Sequence, residues 1–477
     1  MRAARLGITA GLAMLAGCSM APSYEPPTIG APAAYKEIEG WTQATPMDGQ
    51  PRGSWWSIFD DPVLNDLEAR MEQASPSLAA ALARYDQARA AARGTRADLF
   101  PTVTMGAEAV RERLSGRRPQ ANGSATNDDF TVGASLDYEL DLWGRVRNSV
   151  RASQAEAAAT GDDLASARLS LQATVADAYF RLRGLDAETA LLRQTVEAYG
   201  RAFDLTNTRH SGGIASGVDV SRARTILSDA RAQLASVINE RALVEHEIAV
   251  LIGAVASDFS IPVAIQPLQP PAIPVGAPSE LLQRRPDIAA AERRMAAANA
   301  RIGVARAAFF PSLTLGASGG FEASHGQLFD APSRYWALGP LSALMTVFDV
   351  GRRQAGVRIS EAEYDEAAAD YRSSVLSAFR DVEDGLSSAR NMEEQAKNQS
   401  DASTAANRTR DLALIRYRDG ASDYLDVVTA QTAALDAERA LISLQAQRMR
   451  NSIALVRAVG GGFDSSATNG NLASTMP

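Results

Sequence analysis

The chain says nearly everything twice, and the two copies run in step. Leu99-Phe100-Pro101-Thr102-Val103-Thr104-Met105-Gly106 returns as Phe309-Phe310-Pro311-Ser312-Leu313-Thr314-Leu315-Gly316. Trp143-Gly144-Arg145 returns as Val350-Gly351-Arg352, and Arg209-x-x-x-Gly213 with Asp219-Val220 returns as Arg416-x-x-x-Gly420 with Asp426-Val427. Gly144 to Gly351 and Gly213 to Gly420 both span 207 residues. A repeat of this length constrains the architecture before any single motif is read. It predicts an internally duplicated α+β chain, built from two copies of a strand–strand–long helix–turn–helix unit.

The strand signal is alternation. Val103, Met105, Ala107 and Ala109 alternate with Thr102, Thr104, Gly106 and Glu108. Val132, Ala134, Leu136, Tyr138, Leu140 and Leu142 share one face of a second strand, and Thr131, Gly133, Ser135, Asp137, Glu139 and Asp141 share the other. Period two with one apolar and one acidic face suits a transmembrane barrel strand with lipid outside and water inside; it equally suits a half-buried antiparallel strand. The polar stretch 115–129 is expected to make the pair a hairpin. The second copy repeats the pattern over 312–322, and its last strand, Tyr335–Asp349, is interrupted by Pro340. An edge position or a bulge is expected there.

After Gly144 the period lengthens. Leu164, Arg168, Leu171, Val175, Ala178, Leu182, Leu185, Thr189, Leu192, Val196, Tyr199 and Phe203 step by alternating four and three, a heptad seam broken by Arg168 and Thr189. Tyr364 to Ala396 steps likewise. No proline lies between Gly144 and Arg209, so a continuous helix of about 65 residues, on the order of 100 Å long, is expected. A narrow apolar stripe on so long a helix fits either the wall of a hollow tube or a solid coiled-coil stalk. Each long helix ends at a glycine turn, Ser211-Gly212-Gly213 or Asp419-Gly420. A returning helix starts near Gly217–Asp219 or Ser422–Asp423, with Ser and Asp as natural caps.

The N-terminus reads as a targeting segment. Arg2 and Arg5 precede a short apolar core, Leu6 to Ala16, which ends in Leu15-Ala16-Gly17-Cys18. This box predicts a signal peptide over 1–17 and lipidation of Cys18, the only cysteine. Ser19 follows it, and the absence of Asp there implies export to the outer membrane in lipoproteins of this kind. A tether over 18–54 leads to the first repeat, 55–253, with its hairpin at about 101–143. A proline-rich linker over 254–285 leads to the second repeat, 286–459, with its hairpin at about 311–349. The remainder, 460–477, reads as a flexible tail.

The chemistry of catalysis is missing from this pattern. His210, His246 and His325 are scattered, so no metal site and no cofactor are expected beyond the lipid on Cys18. Gly316-Ala317-Ser318-Gly319-Gly320 matches a nucleophile elbow in letters, but that motif needs a strand-to-helix turn and Ser318 falls within an alternating strand. No enzymatic role is expected. A net charge of −8 and the lack of a basic, aromatic-laced run argue against a nucleic-acid partner.

Several motifs together carry a family resemblance. They are Trp55-Trp56 with Asp61-Pro62, the repeated Phe-Pro strand starts, and the linker Pro278-Ser279-Glu280-Leu281-Leu282-Gln283-Arg284-Arg285-Pro286-Asp287-Ile288. Tyr417-x-x-Gly420 followed by Asp426-Val427-Val428-x-Ala430-Gln431 adds to them. Over nearly the whole mature chain the sequence resembles an outer-membrane efflux lipoprotein of the TolC-like channel superfamily, in its NodT-type branch. The pattern departs from the family in two places: His210 stands where the second copy has Tyr417, and Thr429 stands where some members carry a second Asp.

The resemblance implies a homotrimer whose four strands per subunit close a transmembrane β-barrel. Long helices would continue it as an α-helical periplasmic barrel with a mixed equatorial domain. It implies a passive outer-membrane channel that exports small toxic compounds for an inner-membrane efflux pump, through a periplasmic adaptor protein. A type I protein secretion duct shares the fold, and a structural coiled-coil envelope lipoprotein is the remaining alternative. Asp137, Glu139 and Asp141 are expected to line the lumen. The glycine turns are expected to form the periplasmic tip, with the gate on the second. Tyr424 and Leu425 would sit at the constriction and Asp423 and Asp426 would form acidic rings. Arg416 or Arg418 would tie one helix pair to the next, with Asp219 as a candidate partner.

Overall fold

A computed structural model describes residues 19–27, 35–37, 53–113, 115, 117, 126–271, 273, 284–324 and 328–461. Cys18, the leader, most of the tether and the C-terminal tail lie outside the described residues. The elements in order are a 3-10 turn (Trp55–Phe59), α1 (Pro62–Ala74), α2 (Pro76–Ala97), β1 (Thr102–Arg113), β2 (Thr126–Glu139), α3 (Arg145–Ser211), α4 (Gly217–Leu251), α5 (Pro286–Ala307), β3 (Ser312–Ala323), β4 (Arg334–Leu344), α6 (Arg352–Arg418) and α7 (Tyr424–Ala458). The duplication is exact in the helices. Both α3 and α6 have 67 residues, α4 and α7 have 35, and all four bounds superpose under the 207-residue shift.

The chain divides into two compact units, one over 1–28, 84–161 and 290–372, the other over 29–83, 162–289 and 373–477. The first contains the sheet, an antiparallel ladder in the order β1-β2-β3-β4. Its rows show how the alternation is used. Val103, Leu136, Ala317 and Leu338 lie side by side, as do Met105, Ala134, Gly319 and Trp336. These rows form an apolar face left bare, with Met105 81%, Trp336 82% and Leu338 78% exposed. The opposite face carries Thr104, Ser135 and Ser318 in one row and Glu108, Thr131 and Glu322 in another. Between them Gly106, Gly133 and Gly320 make a trough. The Tyr335 hydroxyl occupies the place where a Cβ on Gly133 would be.

Pro340 marks both an edge and an irregularity. β4 is an edge strand, and the β3–β4 register shifts between Leu315 and Ala317. The hairpin loop is shorter than the sequence suggests, because Thr126–Asp129 already belongs to β2. Arg111 pairs with Asp128 across the ladder at 3.5 Å and carries the pairing beyond the apolar alternation. The other ends of the predicted strands also move. β2 stops at Glu139 and β4 at Leu344.

In the same unit the first described residues are strapped down. Ser19 Oγ donates to Asn148 Oδ1 at 3.0 Å, Asn299 Nδ2 donates to the Pro22 carbonyl at 3.0 Å, and the Tyr24 hydroxyl donates to Glu292. None of the described helices is long and apolar enough to cross a membrane.

The second unit has a hydrophobic core under its 3-10 turn. Trp55, Leu64, Leu67, Met71, Tyr179, Leu182 and Ile248 are almost fully buried there; Leu182 comes from the predicted heptad seam, and Tyr179 lies beside it. Trp55 Nε1 donates to Gln172 at 3.0 Å, and Asp61 caps α1 by accepting from the amides of Val63 and Leu64. The proline-rich linker is held by charge. Arg183 donates to the Pro262 carbonyl, Arg241 to the Ile261 carbonyl, and Asp186 binds both guanidinium groups.

Candidate functional site at the paired helix turns

Both long helices end in the same way. Gly213 and Gly420 each take φ +77, a left-handed conformation that a side chain disfavours. Ile214 N–H returns to the Arg209 carbonyl at 2.8 Å, and Ala421 N–H returns to the Arg416 carbonyl at 2.8 Å. Arg209 and His210 close α3, and Arg416 and Arg418 close α6, where cations complement the helix dipole. The next helices are capped at equivalent positions. Ser216 and Asp219 form a reciprocal capping box on α4, and Asp423 accepts from the Asp426 amide to cap α7.

The two turns pack against each other through one aromatic clamp. The Arg209 guanidinium lies 4.7 Å over the Tyr417 ring and donates to the Tyr417 carbonyl at 2.6 Å. The Tyr417 hydroxyl donates to Thr206 Oγ1 at 3.4 Å. Tyr417 and Tyr424 meet edge to face at 5.2 Å and are buried with Ala223 and Val427. Burial pushes the Tyr424 phenol up to about 12, with the neighbouring Tyr417 and Tyr199 adding to it.

This geometry sorts the expected gate residues. Tyr424 is 1% exposed and belongs to the core beneath the turn, so it holds the turn together and faces no opening within the chain. Asp423 is committed as a cap. Leu425 is 45% exposed, and Asp426 is exposed beside it. Arg416 and Arg418 are exposed. Asp219 is engaged by Ser216 and, at 3.8 Å, by Arg222, so within one chain it does not meet Arg416 or Arg418. Nothing in the local sequence marks Arg209 and Tyr417 as a contact. The signal available was the recurrence of Arg209 at Arg416, which marks a position with a repeated task.

The acidic strand residues also divide. Asp137 is exposed on the polar face of the sheet, in the row of Thr102 and Gly316. Glu139 is held by Arg145 through two contacts of 2.7 and 2.6 Å. Asp141 lies past the end of β2 and caps α3: its carboxylate accepts from the amides of Val146 and Arg147 and from the Arg147 guanidinium at 3.1 Å. The alternation runs on through Leu142 in sequence, but β2 ends at Glu139 and the Asp141 carboxylate turns to the amides ahead of it, in the link before the helix starts at Arg145. Asp141 is therefore not a strand residue.

A four-stranded sheet with two open edges and a bare apolar face defines a subunit of an oligomeric membrane β-barrel, here joined to duplicated helical hairpins. The family model described as outer membrane efflux protein matches residues 69–254 and 277–461, and the chain belongs to that family. Among its relatives, the toluene efflux pump outer membrane protein TtgC of Pseudomonas putida is 33% identical over 464 residues, covering 96% of this chain and 95% of TtgC. Outer membrane protein OprJ of Pseudomonas aeruginosa is 34% identical over 472 residues, 97% of each chain. The solved outer-membrane channel OprN superposes with a TM-score of 0.85 at 32% identity, over 93% of this chain and 99% of that one.

Proposed function

We propose that three copies of this chain close a twelve-stranded barrel in the outer membrane and serve as the passive exit duct of a tripartite efflux system. The observation that carries this is the sheet. Both edges, β1 and β4, are unpaired among the described residues, and one whole face presents Val103, Met105, Trp336 and Leu338 outward. One copy has too few strands to close a barrel, and lipid is the solvent that such a face requires. Relatives that serve toluene and antibiotic efflux pumps support small toxic compounds as the cargo. The energy source belongs to an inner-membrane pump, and a periplasmic adaptor joins that pump to the glycine turns. Acylated Cys18 anchors the mature N-terminus. The strap from Ser19 to Tyr24 runs onto Asn148, Glu292 and Asn299, beside the start of α3.

The test is reconstitution. Purified protein is expected to run as a trimer by light scattering and to give discrete conductance steps in a planar bilayer. Affinity capture from membranes is expected to bring down an adaptor and a pump. A monomer without conductance would refute the assignment.

A further inference from the structure

The polar face of the sheet carries charge of one sign and a single ring. Glu108, Glu112, Asp129, Asp137 and Glu322 stand on it, whereas the strand arginines, Arg111, Arg113 and Arg334, all take the opposite parity. Among the described strand residues of that face, Tyr335 is the one aromatic. It ends the row Gly106, Gly133, Gly320, Tyr335, whose other members have no side chain. The Tyr335 hydroxyl and Cζ sit against the Cβ position of Gly133, two strands away. Neighbouring strands lie about 4.8 Å apart, so a side chain with that reach lies along the sheet and does not stand up from it. One face of the ring is turned to the glycine row, and the other to the space above the sheet. Around Gly106 and Gly133 this space is a trough of about 470 Å3, within the range of about 300–1,000 Å3 usual for small-molecule sites. Tyr335 lines it with Glu108 from the next row, and with Thr104 and Ser135 from the row on the other side, whose hydroxyls share a hydrogen bond of 2.7 Å.

We propose that this trough is a transit station for organic cations, in which the ammonium group of an amphipathic amine rests on the Tyr335 ring beside the Glu108 carboxylate. The inference rests on the barrel proposed above, in which the polar face lines the lumen and three copies give three stations. The face of an aromatic ring is its negative side and attracts a quaternary or protonated amine. A carboxylate next to it adds to that attraction, and Glu108 has no ion pair among the described residues. No strand arginine shares the face, so none competes for the ring or draws an anion to it. The glycine row gives the apolar body of the cargo a bare backbone floor to lie on, because a side chain at Gly133 would take the place of the Tyr335 hydroxyl. The station is shallow and open to water, so it holds its cargo weakly. A duct needs this, since a site that binds firmly stops conduction.

Single-channel recording with three water-soluble ions tests this. Benzyltrimethylammonium has the charge and an apolar ring, tetramethylammonium has the charge alone, and benzenesulfonate has the ring with the opposite charge. In wild-type channels benzyltrimethylammonium is expected to block the current at concentrations about threefold lower than tetramethylammonium, the size of one added aromatic contact, and benzenesulfonate to leave the current unblocked. Tyr335→Leu is expected to raise the blocking concentration of benzyltrimethylammonium about two- to fivefold, the size of one exposed cation–π contact, with the preference for potassium over chloride unchanged. Tyr335→Phe keeps the ring and is expected to block like wild type. Glu108→Gln is expected to raise the blocking concentration of both ammonium ions about twofold. Wild-type channels blocked equally by the two ammonium ions, or Tyr335→Leu channels blocked like wild type, would overturn the station and leave the channel assignment standing. The wild-type comparison decides the matter even where Tyr335→Leu fails to insert. Wild-type protein that forms no channels would overturn the channel assignment and the station with it.

Discussion

Asp61 and Glu68 sit at the start and middle of the same helical segment and titrate in opposite directions. Both are buried. Burial raises the Asp61 carboxyl, but hydrogen bonds from Tyr179, Gln266 and the amides of Leu64 and Val63 outweigh it and hold the group below its ordinary value. Glu68 has no such partners: both its carboxylate oxygens are buried without a hydrogen bond among the described residues, and burial, with Glu72 nearby, pushes it up to about 9. The native state therefore keeps a proton on Glu68 that the unfolded chain releases near its ordinary value of 4.5. Between those two values the folded state binds more protons, so this group's contribution to stability falls as pH rises, by about 3 kcal/mol at neutral pH. Glu68→Gln is expected to flatten that slope, and Glu68→Leu to melt higher than wild type at pH 8 with the gap closing towards pH 4. Parallel melting curves at pH 5 and 8.5 for wild type and Glu68→Gln would refute it. The sign for Asp61 is reversed. Its contribution is present above the ordinary carboxylate range and is lost as pH falls through its lowered value. Asp61→Ala removes the α1 cap and the acceptor of the Tyr179 O–H, a loss of about 2–3 kcal/mol by chemical denaturation at neutral pH.

At the scale of elements, the sheet and the turns show what a pattern of residues does and does not reveal. The two-residue alternation located all four strands, because the apolar face must stay continuous from Val103 to Leu338. It misjudged their ends, because those are set by side chains that bond elsewhere. Asp141 leaves the ladder to cap α3, and Arg111 with Asp128 extends the hairpin past its last apolar residue. The repeat gave the positions of the glycine turns and caps, since left-handed backbone and an unsatisfied helix end demand particular residues. It did not give the Arg209–Tyr417 clamp, which joins residues of different copies and has no local signature. The acidic strand face separates by the same logic. Glu139 and Asp141 are neutralised by Arg145 and Arg147, whereas Asp137, Glu108 and Glu322 stand on the polar face with no ion pair among the described residues. In planar bilayers, Asp137→Asn with Glu108→Gln is expected to shift the reversal potential towards lower cation preference. Asp141→Ala is expected to leave selectivity alone and to lower stability by about 1 kcal/mol, the value of a helix cap. Equal loss of selectivity in both variants would place Asp141 in the lumen after all.

For the whole molecule, the proposed function requires that the duct be closed when no pump is attached, since a permanently open tip would leak solutes through the envelope. The turn at the end of α6 offers two different kinds of residue for this. Asp423 is bound to the Asp426 amide and Tyr424 is sealed in the core with Tyr417, so both act on the stability of the turn. Leu425 and the Asp426 side chain are exposed and point away from that core, so they are free to meet their copies near a threefold axis. Capping and closing then separate by experiment. Asp423→Ala is expected to lower the melting temperature, at a cost of about 1 kcal/mol, with basal conductance near that of wild type. Leu425→Ser is expected to conduct more than wild type without an adaptor and to melt at the same temperature, because Leu425 is exposed and its side chain adds nothing to the buried cluster of its own turn. Asp426→Ala should follow Leu425→Ser, since its backbone amide still reaches the Asp423 cap after its carboxylate is removed. If Leu425→Ser channels stay as closed as wild type but unfold earlier, Leu425 packs within its own chain and the closure lies elsewhere along the helices.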